Sequence, residues 1–409
     1  MVDAIPRQPT HRGYAVVGGS GWMASYLVRL LLLRGETSIR VVDIQPPAPA
    51  LLNQSGVTYV HTDITSLPAV EAALLAPFHM PATGKEVRVS VVYHCAAIIR
   101  FWERASYTYH TSYRVNVLGT QNVLDVARRL AAPGEPNPIV IYTSSADVVL
   151  PRPRFMKLGK DYTTWPYNTV VVSDGDPPLG GATSAGCYVR SKAEAEKLVV
   201  EANGKGLRTG VLRPGQTIIG PNDRLLTSTL MMPRVPVWDK EWAHTDVCVW
   251  DSVAAHLLLE DALQHRPQEV AGQAFLISGD GPPWTMRETR NAIKHYSSKD
   301  LVFKDLPVLL IYVLAHLIEG FLWSRYYVLL PIFLLFHGSK PNLTPRWMGD
   351  AVFLQPSTLE YMRDVVIDDS RARKVLGYRP LWSTAQAIRY TVEQLESGSV
   401  KAEHGLKVK

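Results

Sequence analysis

Tyr188-Val189-Arg190-Ser191-Lys192 sets a phenol and an ammonium four residues apart at the start of a helical stretch, so both project from one face. Removing hydride from an alcohol carbon requires a base for the hydroxyl proton. A phenol with a pKa near ~10 does that work only if a neighbouring cation favours its phenolate. Alone, such a pair reads more simply as a stacking pair on a solvated helix. The order of the other parts along the chain changes that reading. Gly18-Gly19-Ser20-Gly21-Trp22-Met23-Ala24 is a glycine turn between an apolar strand and a helix. Gly18 permits the tight turn, and Gly21 lets the backbone approach a pyrophosphate. Trp22 and Met23 open the helix, whose free N–H groups and dipole favour anions. Asp43 ends the next strand, near the ~20-residue offset at which a carboxylate meets a ribose hydroxyl. It would repel a 2′-phosphate, and no arginine follows in Ile44-Gln45-Pro46, so NAD is expected over NADP. Thr143-Ser144-Ser145 closes a later strand, and Ser145 is expected to hold the alcohol oxygen. Asn116 is the candidate for a water relay to Lys192, with a purely helix-bridging amide an equally good account.

These residues need a scaffold that converges on one edge. Short apolar runs alternate with helical patterns over the first ~150 residues, the pattern of parallel βαβ units. Strands are predicted at Tyr14–Val17, Ile39–Asp43, Val57–His61, Val87–His94, Ile139–Ser144, Thr209–Arg213 and Ala274–Ile277. Helices are predicted at Trp22–Leu33, Tyr113–Leu130, Tyr188–Asn203, Ser252–Gln264 and Thr384–Leu395, with another starting in Asp368–Leu376. Leu150–Cys187, rich in Pro, Gly and Asp, reads as a long loop over the site. The fold class is α/β: a Rossmann-like doubly wound parallel sheet with a smaller C-terminal substrate region and an apolar membrane-associated helical segment. In a doubly wound sheet the C-terminal strand ends form the ligand crevice, where Ser145 and a dinucleotide meet.

The 409 residues, 46% hydrophobic and 20% charged, have the composition of a globular chain and exclude a disordered or fibrous one. Cys95, Cys187 and Cys248 make neither a disulfide framework nor a CxxC metal pair, pointing to a reducing, cytosol-facing location. The net charge of +6 is spread thinly, apart from Lys401, Lys407 and Lys409 in the tail, and no nucleic-acid motif appears. Met1–Arg12 lacks a signal-peptide apolar run and reads as a loose lead-in. No metal site is read. Ala182-Thr183-Ser184-Ala185-Gly186 mimics a nucleophile elbow, but the preceding Pro177-Pro178-Leu179-Gly180-Gly181 is not a strand, which argues against a serine hydrolase. A silent dinucleotide-binding scaffold conflicts with the full Ser145, Tyr188 and Lys192 set.

Leu306–Phe336 breaks the soluble pattern. It is dominated by Leu, Ile, Val, Phe, Tyr and Trp, interrupted by Glu319 and Arg325, with Pro331 expected to bend it. Neither arm reaches the ~18–20 residues of a spanning helix, and Val308–Ile318 offers only His316 to a polar face. An in-plane or hairpin membrane anchor is therefore expected. The organisation expected is a lead-in at 1–12, an NAD-binding domain at 13–235, a substrate region at 236–305 interleaved with core elements, the apolar segment at 306–337, and a second substrate region with a basic tail at 338–409.

This ordered set resembles the extended short-chain dehydrogenase/reductase superfamily. Further matching pieces are Asp63-Ile64, His94-Cys95-Ala96-Ala97, Val115-Asn116-Val117-Leu118-Gly119-Thr120 and Arg213-Pro214-Gly215. The resemblance implies that Asp63 and Ile64 border the adenine, that Ala96 and Ala97 line the cofactor, that Pro214 and Gly215 lie on the nicotinamide side, and that Tyr188 and Lys192 also touch the cofactor. Ile141-Tyr142-Thr143-Ser144-Ser145, the run from Asp246 to His256, and Gly272–Ile277 are similar to the 3β-hydroxysteroid dehydrogenase family, within it to fungal-type sterol-4α-carboxylate 3-dehydrogenases (decarboxylating) and their triterpenoid, fusidane-type relatives. That likeness implies NAD-dependent oxidation of a 3β-hydroxyl on a sterol or triterpenoid, with decarboxylation of a 4α-carboxy substrate. It also implies a hydrophobic substrate, a membrane surface and a homodimer as partners, with no nucleic acid, at the cytosolic face of the endoplasmic reticulum. A 3β-hydroxysteroid dehydrogenase/isomerase and a dihydroflavonol-type reductase are the alternatives within the enzyme class. Ala24 stands where the third glycine is usual, Val17 where a threonine is usual, and Trp238 and Trp242 replace a more polar loop on the substrate side.

Overall fold

The computed structural model describes residues 8–79, 86–151, 170–176, 186–232, 234–239, 241–361 and 365–398. The elbow-like run at 182–185, most of the Leu150–Cys187 loop and the lysines of the tail lie outside these residues.

Seven strands form one parallel sheet: β1 (Gly13–Val17), β2 (Ile39–Asp43), β3 (Val57–His61), β4 (Val89–His94), β5 (Ile139–Thr143), β6 (Arg208–Pro214) and β7 (Gln273–Ile277). Their spatial order is β7-β6-β5-β4-β1-β2-β3, and each adjacent pair is parallel. The order reverses between β1 and β4, which opens a crevice at their C-terminal ends. All five residues of β1 are buried. Tyr14 and Val16 face one helical layer, Ala15 and Val17 the other. A strand covered on both faces shows a continuous apolar run, and Gly-Tyr-Ala-Val-Val is one.

Helix α1 (Trp22–Arg34) packs with α5 (Val249–His265) on one face. On the other lie α2 (Gly119–Arg128) and α3 (Cys187–Ala202), through Val123, Leu124, Ala195 and Val199. The expected strand Val87–His94 is two elements: Glu86–Val87 pairs antiparallel with Phe78–His79, and the sheet strand begins at Val89. The expected helix over Tyr113–Leu130 opens with a π-helical turn, Tyr113–Leu118. The short helix α4 (Arg224–Met231) follows β6 and is N-capped by Asp223. Its Leu226 and Leu230 join Ile293, Ile388 and Val392 in a separate apolar cluster of the C-terminal region. Capping boxes at Thr285/Glu288 and Ser383/Gln386 start the two helices that supply those residues.

The apolar segment is one helix, α6 (Val308–His337), continuous through Pro331. A hairpin is therefore not what the chain forms, and at 1.5 Å per residue the helix is about 45 Å long. It is long and apolar enough to cross a membrane. Only Ile311, Ala315, Leu322 and Tyr326 are buried, a stripe along its first two thirds. Trp242, expected beside the substrate, packs with Met286, Leu359, Ile311 and Ala315 under that stripe.

Candidate active site

The glycine turn after β1 is shaped by two constraints. Gly18 has φ +81°, and a Cβ there would lie 2.6 Å from the backbone of Ala96, which follows β4. Gly21 caps α1 with no side-chain bond to the first amides, leaving them for an anion. Trp22 Nε1 donates to the Pro221 carbonyl at 2.6 Å, and Ser252 Oγ meets Met23 Sδ at 3.7 Å. These contacts fix the helix start against Pro221, in the loop after β6, and against α5. Asp43 Oδ2 accepts from the Ser20 amide at 3.1 Å and Oδ1 from the Gln45 amide at 3.0 Å. Burial pushes its carboxyl above the usual range, against those backbone bonds.

The remaining cofactor-side residues follow the sheet edge. Asp63 Oδ1 accepts from the Thr65 amide at 2.9 Å, and the Ile64 carbonyl accepts from Asn122 Nδ2 at 2.9 Å. A Cβ on Gly119 would lie 2.6 Å from Ile64 Cδ1, so any larger residue at the start of α2 would make the Ile64 side chain shift. Ala97 adjoins Ala96 in the loop after β4. Pro214 ends β6, and the Gly215 amide donates to the Ile277 carbonyl at the end of β7 at 2.9 Å. A cradle of this kind, with glycine at the closest backbone approach, free helix amides and a strand-end carboxylate, fits a dinucleotide.

Beside it, Tyr188 and Lys192 occupy the first turns of α3, only 6% and 2% exposed. The Ser145 hydroxyl donates to Asp147 Oδ2 at 3.0 Å and accepts from the Asp147 amide at 3.2 Å. Burial raises the Tyr188 pKa, the Asp147 carboxylate raises it further, and the neighbouring Ser145 hydroxyl and the Arg224 charge pull it down. Lys192 Nζ donates to the Thr143 carbonyl at 2.5 Å and lies 4.2 Å from the centre of the Tyr142 ring. Burial lowers its pKa to about 7, against the pull of Cys95 and Glu196. Of the serine pair, Ser145 is bonded to Asp147, while Ser144 Oγ is buried with no hydrogen-bond partner among the described residues.

Asn116 sits in the π-helical turn. Its Nδ2 donates to Ser191 Oγ at 2.8 Å and to the Ile98 carbonyl at 3.1 Å, and its Oδ1 accepts from the Ile98 amide at 2.9 Å. Ser191 in turn donates to the Tyr188 carbonyl. The amide thus ties the loop after β4 to α3 next to Lys192, with its hydrogen bonds among the described residues going to Ser191 and Ile98. Two residues of the site escaped the sequence reading. Asp147 lies two residues beyond Ser145 in a 3-10 turn, and Arg224 opens α4. The first was within reach, since Ser-Ala-Asp directly after a strand end is a local side-chain–backbone motif.

Residues 15–296 match the family model described as the 3-beta hydroxysteroid dehydrogenase/isomerase family. A 3beta-hydroxysteroid-dehydrogenase/decarboxylase isoform 2 of Arabidopsis thaliana is 27% identical over 97% of this chain, which spans 64% of that relative's length. A decarboxylating sterol-4-alpha-carboxylate 3-dehydrogenase of Candida albicans is 24% identical over 92% of this chain and 96% of its own. Among solved structures, a UDP-glucose-4-epimerase from Stenotrophomonas maltophila with bound NAD superposes with a TM-score of 0.63 at 16% identity, covering 95% of this chain and 99% of that one. This last likeness speaks to the fold.

Proposed function

Because the chain belongs to the 3-beta hydroxysteroid dehydrogenase/isomerase family, we propose that it oxidises the 3β-hydroxyl of a sterol or triterpenoid, and that its substrate carries a 4α-carboxyl group lost as carbon dioxide. The observation that carries this reading is the buried Ser145 and Tyr188, the latter one helical turn from Lys192, at the mouth of the glycine-lined crevice. The enzyme is an NAD-dependent oxidoreductase of the short-chain type. NAD, when bound, supplies the hydride acceptor, and the residues that would hold it are Gly18, Gly21, Trp22, Met23 and Asp43, with Asp63, Ile64, Ala96, Ala97, Pro214 and Gly215 along the strand ends.

The chain's own groups handle the proton. Tyr188 as phenolate takes the hydroxyl proton while the C–H electron pair leaves carbon as hydride. Ser145 holds the alcohol oxygen as it becomes a carbonyl. Lys192 as ammonium favours the phenolate, and Asn116 holds α3 through Ser191. A carboxylate on the carbon next to the new ketone is then a β-keto acid. Its C–C bond electrons flow into the carbonyl as carbon dioxide leaves, and the enolate takes up a proton. The ketone made in the first step is itself the electron sink for the second.

A substrate of this kind resides in lipid, and α6 suits that source. Its first two thirds are fixed to the body by paired Arg104–Glu319 hydrogen bonds at 2.6 and 2.7 Å and by Tyr107 stacked on Tyr326 at 4.1 Å. Beyond Tyr327 it is apolar on all sides, with Leu335 and Phe336 77% and 73% exposed. About ten residues protrude, roughly 15 Å, which matches one leaflet of a ~30 Å hydrocarbon core. We place the body at the cytosolic face of the endoplasmic reticulum, in keeping with the three free cysteines. The protein is expected to float with phosphatidylcholine–phosphatidylserine vesicles, and the double variant Leu335→Glu/Phe336→Glu to stay at the bottom of the gradient with its circular dichroism unchanged. Equal flotation of both would remove the anchor.

The reaction is tested by incubating the enzyme with NAD and paired 3β-hydroxy triterpenoids, with and without the 4α-carboxyl, followed by mass spectrometry. The expected result is NADH and carbon dioxide in equal amounts from the acid. Ketone without gas release from both overturns decarboxylation alone. No NADH from either overturns the whole assignment.

A further inference from the structure

Tyr188 is the second residue of α3, and the first turn of a helix is where amides lack partners and the backbone frays. Gly186 caps α3 without a side-chain hydrogen bond. That task falls to another segment. The Cys187 amide donates to the Glu103 carbonyl at 2.7 Å, and a Cβ on Gly186 would lie 3.1 Å from the same oxygen. Cys187 Sγ lies 3.4 Å from Thr108 Oγ1 and donates to the Ala105 carbonyl at 3.6 Å. From the other side, Asn116 holds both backbone groups of Ile98 and donates to Ser191 Oγ, which donates to the Tyr188 carbonyl at 2.8 Å. Residues 98–108, in the loop after β4, thus form a strap that grips the turn carrying Tyr188 on both sides of that residue.

The strap is itself held. Arg100 and Glu103 pair within it, the Glu103 side chain only 3% exposed. Its outer end is fixed to a different element. Arg104 Nε and Nη2 donate to the two Glu319 oxygens at 2.6 and 2.7 Å, and the Tyr107 ring stacks on Tyr326 within 11° of parallel. Glu319 is the sole carboxylate of α6, and Tyr326 lies two turns further along the same helix. A two-point fork of this kind fixes direction as well as distance. The two attachments are adjacent in the chain: the Glu103 carbonyl meets α3, and the Arg104 side chain meets α6.

We propose that Arg104 and Glu319 are positioning residues of the dehydrogenase: their fork fixes the strap against α6, and the strap holds the first turn of α3 so that Tyr188 stays where it can take the alcohol proton. The proposal rests on Tyr188 being the base. With the fork broken, the residue next to Glu103 loses its anchor, the Glu103 carbonyl drifts from the Cys187 amide, and Tyr188 moves with its turn. A displacement on the order of 1 Å, caused far from the chemistry, can lower a rate by about 10²-fold. The glycine turn and Asp43 stand on other elements, at the ends of β1 and β2. Turnover and NAD binding therefore separate.

The test is kcat and NAD affinity in detergent micelles, where attachment to a bilayer limits neither. The proteins are wild type, Arg104→Glu, Glu319→Arg and the exchanged pair Arg104→Glu/Glu319→Arg. Each single reversal sets like charges face to face and should lower kcat by about tenfold, with the NAD dissociation constant unchanged. The exchanged pair should recover to within about twofold of wild type. An exposed pair that only braces α6 would lower the melting temperature and leave kcat in place, and that result overturns the proposal. So does an exchanged pair as slow as the single variants, or a loss of NAD binding as large as the loss of kcat. Should either reversal fail to fold, Arg104→Gln, Glu319→Gln and their double variant decide. A double variant no slower than the slower single one supports a shared role, whereas multiplied losses, or no loss at all, reject it. A wild type that makes no NADH from any 3β-hydroxy triterpenoid overturns the reaction itself. Full turnover in Tyr188→Phe moves the base elsewhere, and the proposal falls with it.

Discussion

Tyr188→Phe is expected to lower kcat by about 10³-fold, within the range assigned to a positioned general base, while NAD affinity is unchanged. The change removes one oxygen atom from a side chain that is 6% exposed, so the ring packing of α3 stays in place. What is lost is the proposed acceptor of the alcohol proton. The phenylalanine variant leaves the Ser145 hydroxyl with Asp147 as acceptor. Cofactor titration by fluorescence and turnover on the same preparation separate the two effects. Weaker NAD binding in proportion to the lost turnover would reassign Tyr188 to holding the cofactor. Unchanged turnover would reject it as the base.

The glycine turn, the strand-end places of Asp43 and Ser145 and the shared helix face of Tyr188 and Lys192 were legible in the sequence because each depends on local geometry. A strand followed by Gly18 and Gly21, or two side chains four apart on a helix, carries its consequence within a few residues. The sheet strands were legible for the same reason: β1 is buried on both faces and shows it as an uninterrupted apolar run. Three features were not. The π-helical turn at Tyr113–Leu118 has the same apolar spacing as an α-helix to within one residue, yet that one residue decides that Asn116 meets Ser191. Arg224 reaches the phenol's surroundings from a helix beyond β6, a distance only the folded sheet closes. Pro331 reads as a bend, since proline costs about 3 kcal/mol in a helix interior. Ile332-Phe333-Leu334-Leu335-Phe336 has no competing strand or core to join, and the helix continues through it.

Lys192→Met is expected to cut kcat by about 10²-fold or more and, in the NAD-free protein, to raise stability at neutral and acidic pH. The two effects share one cause. Lys192 is fully buried, and burial lowers its pKa from 10.5 to about 7. The unfolded chain therefore holds a proton on this amine between pH 7 and 10.5 that the folded chain does not. Stability rises with pH wherever the unfolded state binds more protons. The cost of burying the charge is thus present in full below pH 7 and fades toward pH 10.5, amounting to roughly a few kcal/mol at most. Methionine fills the same space with no charge to bury, so the variant should be the more stable protein at pH 6, and the gap should close by pH 10. Urea unfolding of both proteins at those two pH values measures it. A gap that is absent at pH 6, or that widens with pH, would overturn the account of a strained buried amine. In the proposed mechanism the costly residue is kept because a phenolate one helical turn away restores the charge. The anion at Tyr188 and the cation at Lys192 stabilise each other inside a low-dielectric site, with the Tyr142 ring 4.2 Å from Nζ and the Thr143 carbonyl at 2.5 Å already placed to receive the ammonium. Loss of folding stability in the resting protein is in this way recovered as stabilisation of the base in the reacting one.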